Sequence, residues 1–517
     1  MRNFIKFAAT IVLLLAGLVS LWFLFSNIQP IKPPLYLVVL MIIVAIGIAG
    51  WLFFGRQLKK LRAKKLPAWL KTTKFKVLLL IVIALIGIAA RLFFYFKYNY
   101  QPTSDPKWFY IYGQEVANGT GLLGNAYVAF FPYLAIYSEI LGFFMKIISD
   151  PWLATIILNT AFDLAGAIVV YFFVKALTKP GSKAPTLAFV LWTFSPFNTI
   201  FSAQALPIVI VNFFIILVVF LAYQMGQKIV KQKTKPIVIL AILLGLALGA
   251  ANWFRPIFVI FIIALFLYLL FIIFTNKRTK KLVLLSAGAF VAVCLIFTGF
   301  QKLGTAIVSV QTGLDVPVSS GGWSIYVGAN QHTNGGWSVK DSDYRDHLVK
   351  EYSDCDIAKR AVIKCQSSKP SGLQAAHDRL QRDGIERYKS YGIYKTLSLF
   401  VSKLYRFSSE QNNMYNANQS FQDYKDSKVA NLIGLYISLF ITLLFAAAAI
   451  FLLKQAKNVV AGRKLISPVV ILIAVVLLGF FLSDMFVEAA RRYAQIMYPL
   501  FIILAVLFVD SIKRRKI

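Results

Sequence analysis

An aspartate, Asp105, stands in the stretch YNYQPTSDPKWFYIY just beyond a long apolar run. A carboxylate so placed can be a general base, a metal ligand, or an ordinary turn residue before Pro106. Glu115, in the same loop, is the candidate second catalytic carboxylate. Cations recur at the rims of apolar runs: Arg91, Arg255 in NWFRP, Lys403 in KTLSLFVSKLYRF, and Arg491 and Arg492 in VEAARRY. Ionisable groups at such depths are costly, so each is a functional candidate, and planar guanidinium groups suit a phosphate.

Each candidate also has a structural reading. Arg91 and Arg255 can snorkel to the interface. Glu488 lies three residues before Arg491 and four before Arg492, so on a helix it can bridge to either. Two arginines for one glutamate leave a cation for phosphate, with Glu488 and Tyr493 as support. Asp163, one turn after Asn159, sits deeper and reads as a helix–helix hydrogen-bonding residue.

The elements that must position these residues are apolar. The chain has 517 residues, 59% of them hydrophobic, and a mean hydropathy of +0.70. Apolar runs of about 20 residues, the length that crosses a bilayer, recur from end to end. The first, Phe4 to Phe25, is long for a signal peptide and is read as a retained helix. The net charge of +34 sits in short links between the runs, so it reports topology and not nucleic acid.

The link from Arg56 to Lys76 is basic without an acid and is expected on the cytoplasmic side, which puts Asp105 outside. If Ala129 to Ile148 crossed, every later basic link would face outward, so that segment is expected to lie on the outer surface or re-enter. The expected fold is an all-α polytopic bundle of about 12 transmembrane helices, with external loops and a small external domain. Residues 1–301 form an N-terminal bundle with an external loop at 98–151, 302–429 an extracytoplasmic domain, and 430–517 the C-terminal helices. In that domain a helix is expected from Gly372 towards Tyr388. An amphipathic helix follows, with Leu397, Phe400, Val401 and Leu404 on one side and Lys403 and Arg406 reaching the headgroups.

Soluble-enzyme chemistry has little support. His332, His347 and His377 are irregularly spaced and read as solvated surface. Asp341 and Asp343 form a D-x-D that could hold a divalent cation, the one cofactor in view. There is no P-loop, dinucleotide fingerprint or nucleophile elbow. Cys355 and Cys365 share the polar region and are either a disulfide or free thiols. Sequons at Asn118 and Asn418 face outward in this topology.

In order, the loop carrying Asp105, FPYLAIYSEILGFF, SPFNTIFSAQALP, NWFRP, YVGAN with NGGW, and VEAARRYAQIMYPLF resemble the C-type (GT-C) polytopic membrane glycosyltransferases. The similarity is to bacterial dolichyl-phosphate-mannose-protein mannosyltransferase-like proteins and lipid A aminoarabinose transferase, with a departure at Ala205, Leu206 and Pro207, where many relatives carry an acid. The resemblance implies inverting transfer of a hexosyl or pentosyl group from a polyprenyl-phosphate donor to an extracytoplasmic acceptor, a cell-envelope polymer, glycolipid or protein. It makes Asp105 the candidate base. Arg91, Arg255, Lys403, Arg491 and Arg492 are then candidates for the lipid phosphate. The competing expectations are a transporter or flippase for a lipid-linked saccharide, which calls for cations along a central path and paired halves, and a non-catalytic envelope assembly protein.

Overall fold

A computed structural model describes residues 2–28, 73–276, 278–318, 320–358, 365, 369, 371–408, 420–422, 428–462 and 467–513. The apolar run 35–54, most of the basic link before Val77, the Asn418 sequon and the C-terminal cations from Arg514 onward lie outside the described residues. Two apolar helices open the fold, α1 (Arg2–Ile28) and α2 (Thr73–Lys97). Three short helices follow, α3 (Ser104–Ala117), α4 (Ala126–Phe130) and α5 (Tyr133–Ile147). The chain then runs through α6 (Pro151–Leu177), α7 (Ala184–Thr193), α8 (Pro196–Ser202), α9 (Ile208–Val230), α10 (Thr234–Phe254), α11 (Val259–Thr275) and α12 (Lys280–Thr312). The polar region holds α13 (Gly321–Gly328), α14 (Val339–Ser353), α15 (Gly372–Ser390) and α16 (Gly392–Ser408). Last come α17 (Lys428–Val460), α18 (Pro468–Phe486), a 3-10 segment (Arg491–Met497) and α19 (Tyr498–Lys513).

Among the described residues, nine segments are long and apolar enough to cross a bilayer, and α7 and α11 are shorter apolar helices. The protein is an all-α, multi-pass membrane protein. Prolines set several breaks. Ser195-Pro196 divides the apolar stretch 184–202 into α7 and α8, and Arg255-Pro256 separates α10 from α11. Proline removes a backbone donor and turns the preceding residue away from helical geometry. Helix α12 runs on past Gln301 to Thr312 and ends at Gly313 with φ +66°.

The 129–148 stretch contains α5, whose 15 residues rise about 22 Å against a hydrocarbon core of about 30 Å. It packs on α3 in near backbone contact: a Cβ on Gly142 would lie 2.6 Å from Val116 Cβ and 2.7 Å from the Gly113 carbonyl oxygen. At the other end of the chain, Phe23 of α1 meets Phe407, Phe445 and Phe501 with ring centroids 5.6, 5.1 and 5.8 Å away. This cluster locks α16 onto the C-terminal helices. Cys355 and Cys365 are joined by a disulfide.

The orientation of α16 corrects one expectation. Leu399, Lys403 and Phe407 face inward and are buried, whereas Ile393, Leu397, Val401 and Tyr405 form an exposed stripe at four-residue spacing. Lys403 therefore does not reach out to headgroups.

Candidate functional site

Asp105 occupies the first turn of α3, where the helix dipole favours an anion and a following proline costs no intrahelical bond. Its Oδ2 lies 2.5 Å from Nη2 of Arg492, in the 3-10 segment before α19. The pair is accessible, with side-chain exposures of 41% for Asp105 and 23% for Arg492. The Arg255 guanidinium, from the α10–α11 break, lies 3.9 Å from the Tyr493 ring centroid, and that of Arg492 lies 5.3 Å from it. The Tyr493 hydroxyl donates to Glu488 Oε2 at 3.3 Å. Five sequence candidates thus meet in one cluster: Asp105, Arg255, Glu488, Arg492 and Tyr493.

Burial pushes the Glu488 carboxyl above its ordinary range, opposed chiefly by the charge of Arg492 and reinforced by that of Asp105. Two further residues belong here: Tyr133, which the sequence did not single out, and Asp484, an acid near the same outer helix junction as Glu488. Burial raises the Tyr133 phenol well above the usual tyrosine range, and Asp105, Tyr493 and Glu488 add to the effect, which sets Tyr133 within charge range of all three. Asp484 is buried and lies within charge range of Arg255 and Lys403. Tyr133 follows Phe131-Pro132, but nothing in that spacing shows that α5 begins beside Asp105.

The loop after α13 closes over the cluster. The Ala489 N–H donates to the Gly335 carbonyl at 2.8 Å, and Arg406 Nη1 donates to the Thr333 carbonyl at 2.5 Å. NGGW is therefore tied to VEAARRY, two of the motifs on which the resemblance rests.

Other candidates stand elsewhere. Arg91 is fully buried and paired with Asp163, and it also donates to the carbonyls of Gly87 (2.6 Å) and Thr193 (3.0 Å). A lipid phosphate could reach it only by breaking that pair, so Arg91 is a structural cation. Asp163 behaves as expected of a helix–helix residue, accepting from Asn198 Nδ2 at 2.7 Å as well. Glu115 is ten residues after Asp105 on the same helix, about 15 Å along its axis, and does not share a site with it. Lys403 is fully buried and donates to Gly328 O at 2.9 Å and to the Tyr388 hydroxyl at 3.0 Å, so it is no direct ligand for an incoming phosphate. The side chain of Arg491 lies outside the described residues.

One acid of the D-x-D is also committed, while Asp343 is exposed. Asp341 accepts from Asn330 Nδ2 at 2.6 Å and from Arg387 Nη1 at 3.1 Å, which occupies both carboxylate oxygens. Among the described residues no group of three or more histidine, cysteine or acidic side chains could hold a metal ion. His377 is buried rather than solvated: its ring stacks on Phe130 at 3.8 Å and its Nε2 lies 3.0 Å from the Phe130 carbonyl oxygen.

No family model and no curated protein matches the chain. Among solved structures it is similar to the oligosaccharyltransferase AglB from Archaeoglobus fulgidus in complex with an inhibitory peptide and a dolichol-phosphate. That match has 11% identity over 85% of this chain and 51% of AglB, at a TM-score of 0.45. A second Archaeoglobus fulgidus oligosaccharyltransferase structure, in complex with Zn and sulfate, gives 11% identity over 84% and 49%, also at 0.45. ArnT from Cupriavidus metallidurans in the apo state gives 13% identity over 85% of this chain and 78% of ArnT, at 0.35. The chain spans about half the length of the oligosaccharyltransferases.

Proposed function

We propose that the protein is a membrane glycosyltransferase that moves one sugar from a polyprenyl-phosphate donor to an acceptor at the extracytoplasmic face. The observation that carries this is the accessible Asp105–Arg492 pair, with Arg255 beside it on Tyr493. A nucleophile's proton needs a nearby base, and a departing phosphate needs fixed positive charge. The basic links of the sequence support an external position for this end of the bundle.

In the proposed reaction the acceptor hydroxyl oxygen attacks the anomeric carbon of the sugar, on the face opposite the phosphate. Its proton passes to Asp105 as the new C–O bond forms. The bond from the anomeric carbon to the phosphate oxygen breaks, and its electron pair leaves with the polyprenyl phosphate, whose charge Arg492 and Arg255 hold. Arg492 is engaged with Asp105 in the structure, so a bound phosphate that draws it away also releases the carboxylate to take the proton.

The test is sugar transfer from a polyprenyl-phosphate sugar in membranes carrying Asp105→Asn. A loss of about 10²–10⁴-fold with unchanged insertion is expected, the usual contribution of a general base. Wild-type activity in that variant would remove Asp105 from the mechanism. The transport reading calls for cations along a central path, whereas Arg91 is sealed against Asp163.

A further inference from the structure

Lys403 is used by nothing in the mechanism above, yet it is buried as a bare ammonium would not be without reason. Its surroundings come from four parts of the chain. The end of α13 offers the Gly328 carbonyl, and α15 offers the Tyr388 hydroxyl. Tyr388 in turn donates to the Phe486 carbonyl at 3.1 Å, at the end of α18. Gly335 closes over the lysine stem: with φ +70°, a Cβ there would lie 2.7 Å from both Lys403 Cδ and Cε. Gly335 is also the residue whose carbonyl accepts from Ala489, three residues before Arg492.

We propose that Lys403 is a positioning residue that pins the end of α13 and the loop after it, residues 326–337, to residues 485–492 and so holds Arg492 and Glu488 opposite Asp105. The inference rests on the transferase reading only for what that positioning serves. The pinning itself is a property of the loop.

The groups that face Lys403 give the pinning a pH dependence. Asp484 faces it from α18 and Glu488 from the segment that follows, while Arg406, one turn along α16, is engaged with the Thr333 carbonyl. Burial pushes the Lys403 amine down to about 7, with Asp484 and Glu488 opposing the shift. A released, solvated lysine titrates near 10.4. The pinned state therefore binds its proton more weakly than the released state, and raising the pH above about 7 favours pinning. The neutral amine keeps two N–H donors, which match the two acceptors present.

The experiment is hydrogen–deuterium exchange on the full chain in detergent at pH 6 to 9, corrected for intrinsic rates, with binding of decaprenyl phosphate measured in parallel. In the wild type, protection of residues 326–337 should be level below pH 7 and rise above it, by at most about tenfold per pH unit. Lys403→Met should exchange in that loop at least about tenfold faster at pH 8, lose the rise, and bind decaprenyl phosphate more weakly. Unchanged exchange and affinity would overturn the proposal. Weaker binding with unchanged exchange would overturn it too, since Lys403 would then touch the phosphate. If Lys403→Met fails to fold, Tyr388→Phe takes its place: faster exchange in the loop supports the proposal and wild-type exchange refutes it. An active Asp105→Asn would defeat the transferase mechanism and leave these outcomes untouched.

Discussion

Replacing Asp105 by asparagine should abolish transfer while tightening the binding of polyprenyl phosphate. In the structure the carboxylate holds Arg492 at 2.5 Å, so an incoming phosphate must compete with Asp105 for the same guanidinium. With 41% of the Asp105 side chain exposed the pair is solvent-screened, and its worth is about 1 kcal/mol at most. Removing the competitor should therefore lower the Kd by up to about fivefold. In the proposed complex Arg492→Gln deletes charge-assisted bonds to the phosphate itself, worth about 1.5–3 kcal/mol, and should raise the Kd by about 10–150-fold. Titration of decaprenyl phosphate into the purified full chain, with both single variants and the double variant, measures all of these. In the double variant the gain from Asp105→Asn should vanish, because there is no guanidinium left to release. Asp105→Asn weakening the binding tenfold would refute the reasoning: Asp105 would then help to hold the phosphate, as a metal-bridging carboxylate does.

Three further outcomes follow from groups outside the reaction. Arg91→Ala strands Asp163 and should cost about 3–5 kcal/mol, read as a fall in the thermal midpoint that Arg91→Met with Asp163→Leu partly restores; a stable variant defective only in phosphate binding would return Arg91 to the site. Burial holds His377 down at about 4, against about 6.5 unfolded, so the folded state loses stability as the pH falls from about 6.5 to 4, by about 3 kcal/mol in all. His377→Phe should flatten acid unfolding in that window, and an unchanged profile would assign it to other groups. Reduction or Cys355→Ser opens a loop closed over a separation of 10 residues and should cost about 2–3 kcal/mol, seen as faster proteolysis of the polar region.

The bundle was legible because crossing a bilayer is a one-dimensional requirement: enough consecutive apolar residues, with cations in the links. Helix ends were less so. Pro196 and Pro256 are visible as breakers, but nothing before Gly313 announces that α12 continues past Gln301. Asp105 and the VEAARRY cluster could be matched as chemistry because acids are few in this chain, 21 against 55 Lys and Arg, and two of them stand beside rim cations. Their meeting, across 387 positions, depends on packing that no local pattern records.

The cations show where sequence reasoning stops. Arg91, Arg255, Lys403 and Arg492 all stand near the ends of apolar runs, and each could equally snorkel, pair or bind phosphate. What separates them is the partner that packing delivers. Arg91 receives Asp163 at full burial and is spent on structure. Arg255 receives the face of Tyr493, with Asp484 within charge range, and Arg492 receives a carboxylate accessible enough to be exchanged for a phosphate. Lys403 receives a backbone carbonyl and a phenol under a glycine. A flexible ammonium can rotate its donors to meet such uncharged acceptors, whereas a guanidinium presents its donors in a fixed planar fork suited to a carboxylate or phosphate. The lysine at the clamp and the arginines at the open site therefore follow one physical rule, in which the side chain chosen matches the shape and charge of what it must hold.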